Sequence, residues 1–138
     1  MMEVNIDRAE PISVETTFEE IFERAMRKQP QIQQIVVASE QGLVIAFKAR
    51  TKGAEQQLAA LSPVLGDAGE SIFNALSLTP LGEIVLIGSE GTAYFARMKS
   101  VPAFLLVGAK GQVNAGLLRI VAADIEADAS GVILRILR

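Results

Sequence analysis

The sequence predicts an α+β domain with three layers, α/β/α, built on a five-stranded antiparallel sheet in the order α-β-β-α-β-β-β-α. Three observations carry this. Three segments repeat apolar residues at helical spacing. Five others are short, apolar and bounded by turn residues, and the turns between neighbouring strands are too short for parallel crossovers. The strands Ile84-Val85-Leu86-Ile87 and Phe104-Leu105-Leu106-Val107 are apolar on both faces, so the sheet needs cover on both sides, which the helices provide. The chain has 138 residues, 50% of them hydrophobic, which suits a single domain over 16–138 preceded by an arm at 1–15.

The first helix follows a capping box, Thr17 with Glu20, and carries Phe18, Ile21, Phe22, Ala25 and Met26 as one stripe. Glu19, Glu20 and Glu23 lie early and Arg24, Arg27 and Lys28 late, as the helix dipole favours, and Pro30 closes the segment. Ile35–Ser39 and Leu43–Ala49 form a hairpin around Glu40-Gln41-Gly42. A second helix runs from about Ala54 to Ser77, with Leu58, Leu61, Leu65, Ile72 and Leu76 as its core stripe and Pro63 as a point of kinking or of weakness in its first turns. On that reading Leu61→Ala leaves a cavity costing ~2–5 kcal/mol. Strands at Glu83–Gly88, Thr92–Met98 and Ala103–Gly108 follow, joined by Ser89-Glu90-Gly91 and Lys99-Ser100-Val101-Pro102. The last helix covers about Val113 to Leu137, its stripe Leu118, Val121, Ile125, Ala129, Val132 and Ile136 running through Gly131. The rival reading ends that helix at Ser130 and places a short strand after it.

Composition narrows function by exclusion. Without cysteine or histidine there are no disulfides, thiolate nucleophiles, imidazole bases or common zinc ligands. A net charge of −3 disfavours a non-specific nucleic-acid binder. The longest uncharged apolar run, Val101 to Ala109, is far short of the ~20 residues a membrane helix needs. The acidic N-terminal stretch has no apolar signal core, so a cytoplasmic protein is expected.

The remaining chemical candidates each have a plain structural explanation. Gly108-Ala109-Lys110-Gly111 stands between a strand and a helix, yet no Gly-Lys-Ser/Thr follows, and a strand-to-helix turn accounts for it. Asp124, Glu126 and Asp128 read as a solvated helix face before they read as metal ligands. Ser62 and Ser71 have no activating partner in sequence, and Tyr94, Phe95 and Arg97 fit strand alternation as well as base stacking. No cofactor is expected and no enzymatic activity.

More telling is the flank of the second helix formed by Ala60, Val64, Asp67, Ser71 and Ala75, small and nearly uncharged where a solvated flank carries Lys, Glu and Gln. That suits close packing against another helix. Glu83–Gly88 points the same way: at a sheet edge its apolar row, with Ile84 and Leu86, is suited to pairing with a second copy across a twofold axis. These seven residues are the expected dimer or partner interface.

Ile35-Val36-Val37-Ala38-Ser39-x-x-Gly42-Leu43-Val44-Ile45-Ala46 resembles the opening hairpin of the roadblock/dynein light-chain domain family, Leu58-Ala59-Ala60-Leu61 falls where that family has its central helix, and Gly116-Leu117-Leu118-Arg119 is similar to the start of its last helix. The resemblance spans about residues 16–137. It implies the central helix on one face of the sheet and the terminal helices on the other. It also implies a homodimer with paired third strands and side-by-side central helices. Free-standing prokaryotic members of the MglB-like type are partners of Ras-like small GTPases. The resemblance therefore implies a homodimeric regulator, GTPase-activating or effector/scaffold. For an arginine finger acting in trans, the exposed strand-end residues Arg50 and Arg97 are the candidates. A structural dimerisation adaptor and a small-ligand sensor are the alternatives. The chain departs from that type by Pro63 in the central helix and by the absence of a long polar tail.

Overall fold

The computed structural model describes residues 14–51 and 53–137, and within them the elements follow the expected order. Helix α1 (Val14–Lys28) leads to β1 (Ile32–Ser39) and β2 (Val44–Ala49). The central helix α2 (Glu55–Ala75) is followed by β3 (Glu83–Ile87), β4 (Gly91–Arg97), β5 (Ala103–Lys110) and the last helix α3 (Ala115–Ile136). The expected arm at 1–15 lies outside the described residues apart from Val14 and Glu15, which already belong to α1. That start corrects the capping box: Thr17 stands inside the helix, three residues past Val14, so it cannot be the residue that precedes it.

The five strands form one antiparallel sheet in the order β2-β1-β5-β4-β3. The hairpin β1–β2 and the meander β3–β4–β5 join because β5 returns to lie beside β1, pairing Ser39 with Ala103 and Ile35 with Val107. β1 and β5 thereby become central strands with both faces covered. Ile35, Val37, Leu105 and Val107 enter the larger core with Phe18, Phe22, Leu118 and Ile125 from α1 and α3. Val36, Ala38, Phe95 and Phe104 enter a second core under α2 together with Ala59. Period-2 alternation of buried side chains thus builds the two layers directly.

α3 runs unbroken through Gly131, which settles the choice between one long helix and a helix with a trailing strand. Leu118, Val121, Ile125, Ala129 and Val132 are buried as the stripe requires, and the Asn114 side chain caps the helix by accepting from Leu117 N at 3.0 Å. α2 likewise continues through Pro63. Its end is a Schellman arrangement: Leu78 N donates to Phe73 O, Ser77 N to Asn74 O, and Ser77 takes the left-handed position at φ 60°.

The orientation of α2 departs from the expected stripe. Its buried residues are Ala59, Ser62 and Gly66, whereas Leu61, Ile72 and Leu76 are exposed and only Leu58 and Leu65 of that stripe pack partly into the second core. The cause is steric. Phe104 rises from the sheet, and a Cβ on Gly66 would lie 3.1 Å from its ring. At the hairpin tip Gly42, at φ 84°, brings backbone against backbone, since a Cβ there would lie 3.2 Å from Ala60 Cα. Only a face of small residues can sit so near the sheet, and the large apolar residues are turned outward. The core volume is supplied by the sheet, not by the helix. Phe104→Ala should therefore cost ~3–5 kcal/mol. Leu61→Ala should cost about 1 kcal/mol or less in dilute solution, because the side chain is 49% exposed. Urea unfolding of both variants checks the contrast.

Candidate interaction surface

α2 presents an outer face of unusual composition. Ala60, Val64, Asp67, Ser71 and Ala75 are all exposed. Leu61, Val64, Ile72 and Leu76 are each between 49 and 62% exposed, and no lysine or arginine occurs anywhere in the helix. At 100° per residue the outward residues fall into two flanks. Ala60 belongs to the flank beside the hairpin tip at Gly42, together with Asp67 and Ser71. Leu58, Leu61, Leu65, Ile72 and Leu76 form the other flank, where Leu58 and Leu65 join Phe47 and Leu106 in the second core. This second flank faces the end of the sheet away from the hairpin tip.

That end is bare. The row Leu86–Ala93–Gly108–Gln34 crosses the sheet on the α2 side, each residue paired with the next, and no helix covers it. It floors an open groove of about 440 Å³ rimmed by Glu90 and Lys110. Among the described residues, the one buried side-chain nitrogen or oxygen without a hydrogen-bond partner is Gln34 Nε2, in this floor. Nothing in the sequence marks Gln34, because the expected strand begins at Ile35 and leaves Gln34 in the polar stretch before it, whereas β1 begins at Ile32.

The two sheet edges differ. β2 is guarded by Lys48, which is paired with Glu19, and its pairing with β1 is interrupted between Val37 and Ala38. β3 pairs with β4 without interruption from Glu83↔Ala96 to Ile87↔Thr92 and leaves Leu86 and Ile87 exposed. The cover expected on both faces of β3 is thus missing over its second half. Ile84 behaves differently: it is partly buried under α2, where a Cβ on Gly69 would lie 2.9 Å from its Cδ1.

The other candidate residues have structural partners. Arg50 donates through Nε to Ile32 O at 2.9 Å and through Nη2 to Pro30 O at 3.3 Å, closing the α1–β1 loop. Arg97 lies 4.7 Å above the Phe104 ring and pairs with Glu40 at 2.7 Å. Asp124 and Asp128 pair with Lys28 and Arg24 across the α1–α3 groove, and Glu126 accepts from Lys99 N at 2.9 Å. Gly108, Ala109 and Lys110 are strand residues of β5, not a phosphate loop, and Gly111 alone takes a positive φ there. Ser62 Oγ donates to Leu58 O one turn back.

A polar corner closes the β3 side of the α3 layer. Tyr94 donates to Glu83 Oε2 at 3.0 Å, and Arg119 pairs with the same carboxylate. With Phe73, Lys99 and Glu126 they line a cavity of about 550 Å³. Burial first, then the hydrogen bond to Glu83, hold the Tyr94 phenol well above its ordinary value of 10.0. The protonated form is favoured in the folded state, so this contribution to stability is complete below pH ~10 and is lost as pH rises above that value. Tyr94 is the chain's single tyrosine. Phenolate absorbance should stay absent from the folded protein at pH ~11 yet titrate near pH ~10 in denaturant.

No family model matches the chain, and no curated protein matches it either. Solved structures do. The chain is 15% identical to a structure described as MglB with tetrameric arrangement, with a TM-score of 0.77 over 88% of this chain and 90% of that one. It is 14% identical to Myxococcus xanthus MglB, with a TM-score of 0.75 over 100% of this chain and 97% of that one. It is 16% identical to a roadblock/LC7 domain from Streptomyces avermitilis, with a TM-score of 0.70 over 86% and 97%. At such identities the likeness is one of architecture. The chain has the roadblock fold, in the form found in MglB proteins and roadblock/LC7 domains.

Proposed function

We propose that the chain is a homodimeric regulator of a Ras-like small GTPase, acting in the cytoplasm by protein–protein binding and performing no chemistry of its own. The observation that carries this is the apolar outer face of α2 standing beside the open, regular edge of β3. Water is a poor neighbour for both, and one twofold operation covers both: antiparallel pairing of two β3 strands extends the sheet and brings two α2 helices together. The leucine flank of α2, with Leu86, is the self-association side. Ala60, Val64, Asp67, Ser71 and Ala75 then remain on the outer surface of the pair as the GTPase-docking side, which also suits their small size.

The GTPase part of the reading rests on the resemblance to MglB-like members, and the similarity in fold to MglB structures supports it. Arg50 and Arg97 are both held by partners within the chain. That favours regulation through preference for one switch conformation of the GTPase over an arginine finger. No helix among the described residues is long and apolar enough to cross a membrane.

Light scattering at micromolar concentration should give twice the chain mass of 14.8 kDa. Ile72→Arg should return the mass to that of one chain, because the charge would have to be desolvated at a close contact. Val64→Arg should leave the dimer intact and abolish the change in GTP turnover that the native protein produces on a cognate Ras-like GTPase. A native particle of single-chain mass overturns the homodimer. A dimer that neither binds such a GTPase nor alters its turnover leaves the dimerisation adaptor as the reading.

A further inference from the structure

We infer that the outer face of the α1–α3 layer is a weak contact between two copies of this chain set back to back, on the side of the sheet opposite α2. α3 carries large apolar residues on the side turned away from the sheet: Ile120 is 62% exposed and Leu134 is 41% exposed. Ala123, Ala127 and Gly131 lie between them and are exposed as well. At 100° per residue these five fall within about 40° of Ala127, so they form one uncharged band down the helix. Water is a poor neighbour for such a band.

The band reads the same in both directions. Ile120 and Leu134 stand seven residues either side of Ala127, and Ala123 and Gly131 stand four. A twofold axis through Ala127, perpendicular to the helix and parallel to the sheet, lays two antiparallel α3 helices face to face. Ile120 then meets the partner's Leu134, and the small residues meet at the centre, where the backbones come closest. A twofold contact uses one patch twice, so the patch has to complement itself, and this one does.

Charge on α1 complements itself about the same axis. Arg24 pairs with Asp128 at 3.7 Å and Lys28 with Asp124 at 3.6 Å, so α1 and α3 run antiparallel and Ala25 stands level with Ala127. Both alanines line the groove of about 220 Å³ between the two helices. Because α1 and α3 form one layer over the larger core, the axis that pairs α3 with α3 also sets α1 against the partner's α1 about Ala25. Glu23 and Arg27 stand two residues either side of Ala25, so each lies opposite its opposite charge on the partner. Their side chains are 54% and 69% exposed, and within the chain they are joined only to each other, at 3.6 Å. The axis is located by α3 alone, yet it matches acid to base on α1. The other charges do not oppose it. Asp124 and Asp128 are offset by Lys28 and Arg24. Arg119 and Arg135 lie about 160° apart around α3 and so occupy opposite flanks, and Arg119 is taken by Glu83. A second copy supplies this pattern by symmetry, where an unrelated protein would have to reproduce it.

Sedimentation equilibrium on the full chain tests the contact. Two helices a side make a small interface, which suits a weak association. The native mass seen at low micromolar concentration should at least double at several hundred micromolar. Ala127→Arg should hold the low-concentration mass throughout, because it brings two guanidinium groups together at the axis. Glu23→Arg and Arg27→Glu should each, alone, also fail to associate, since each sets like charges opposite one another. An equimolar mixture of those two variants should associate at least as well as the native chain, because each offers the charge the other needs. Circular dichroism checks that the variants fold; both charged positions are exposed. A native mass that stays flat overturns the inference, as does an Ala127→Arg variant that associates like the native chain or a mixture that associates no better than its components. The low-micromolar mass reads the homodimer and the rise above it reads this face, so the two fail separately.

Discussion

The spacing between α2 and the sheet governs the rest of the molecule. Phe104 fills the space beneath the helix, and a Cβ on Gly42, Gly66 or Gly69 would press on the backbone of Ala60, the Phe104 ring or the side chains of Leu81 and Ile84 in turn. Because the helix presents Ala59, Ser62 and Gly66 inward, Leu58 and Leu65 reach the second core only in part, and Leu61, Val64 and Ile72 are turned outward. An amphipathic helix ordinarily hides its apolar face against its own sheet. Here close approach inverts that rule and leaves an apolar helix face that the chain's own sheet does not cover.

Much of the architecture was legible in the sequence. The element order, the continuous last helix and the hairpin at Gly42 all follow from periodicity and turn chemistry, which act over a few residues and are written locally. The facing of α2 was not legible. Its strongest apolar periodicity, Leu58 to Leu76, predicts a core stripe on that side, and periodicity does not report how near the sheet lets that face come. The weaker clue was present: Ala59, Ser62, Gly66 and Gly69 repeat at helical spacing on the sheet side, but small residues carry little hydropathy. Thr17 failed for a related reason, since a Thr-x-x-Glu spacing fits the first turn of a running helix as well as its cap. Gln34 was invisible because the bareness of its row depends on where α2 crosses the sheet, which is a property of the assembled layers.

The polar groups are arranged so that little of this surface is disputed by charge. Acids and bases pair on the α1–α3 side, as Lys28 with Asp124, Arg24 with Asp128 and Arg119 with Glu83. These pairs are mostly solvent-exposed and each contributes little to stability. Their effect is one of placement, since they gather charge on the layer opposite α2. On the α2 side Arg97 is drawn down onto Phe104 and held by Glu40, and Glu70 is bonded to Leu81 N, so the flank of Leu61, Ile72 and Leu76 stays apolar. The edge of β2, with Lys48 and an irregular ladder, is unsuited to pairing, unlike the regular edge of β3.

Two unlike flanks on one helix suit two unlike partners. A large apolar stripe of Leu61, Ile72 and Leu76, continuous with Leu86 and the bare floor, offers the broad non-directional burial that a permanent interface uses. The flank of Ala60, Asp67 and Ser71 offers less apolar area and one carboxylate, which suits a contact that forms and breaks. If the first flank is closed by a second copy, folding and pairing become linked, and the stability of the chain rises with its own concentration. The second flank is then presented on a platform of two antiparallel helices, wider than either chain alone could offer. A partner that spans the twofold axis would meet both copies of this flank in opposite directions, so one partner molecule on the platform would break its symmetry.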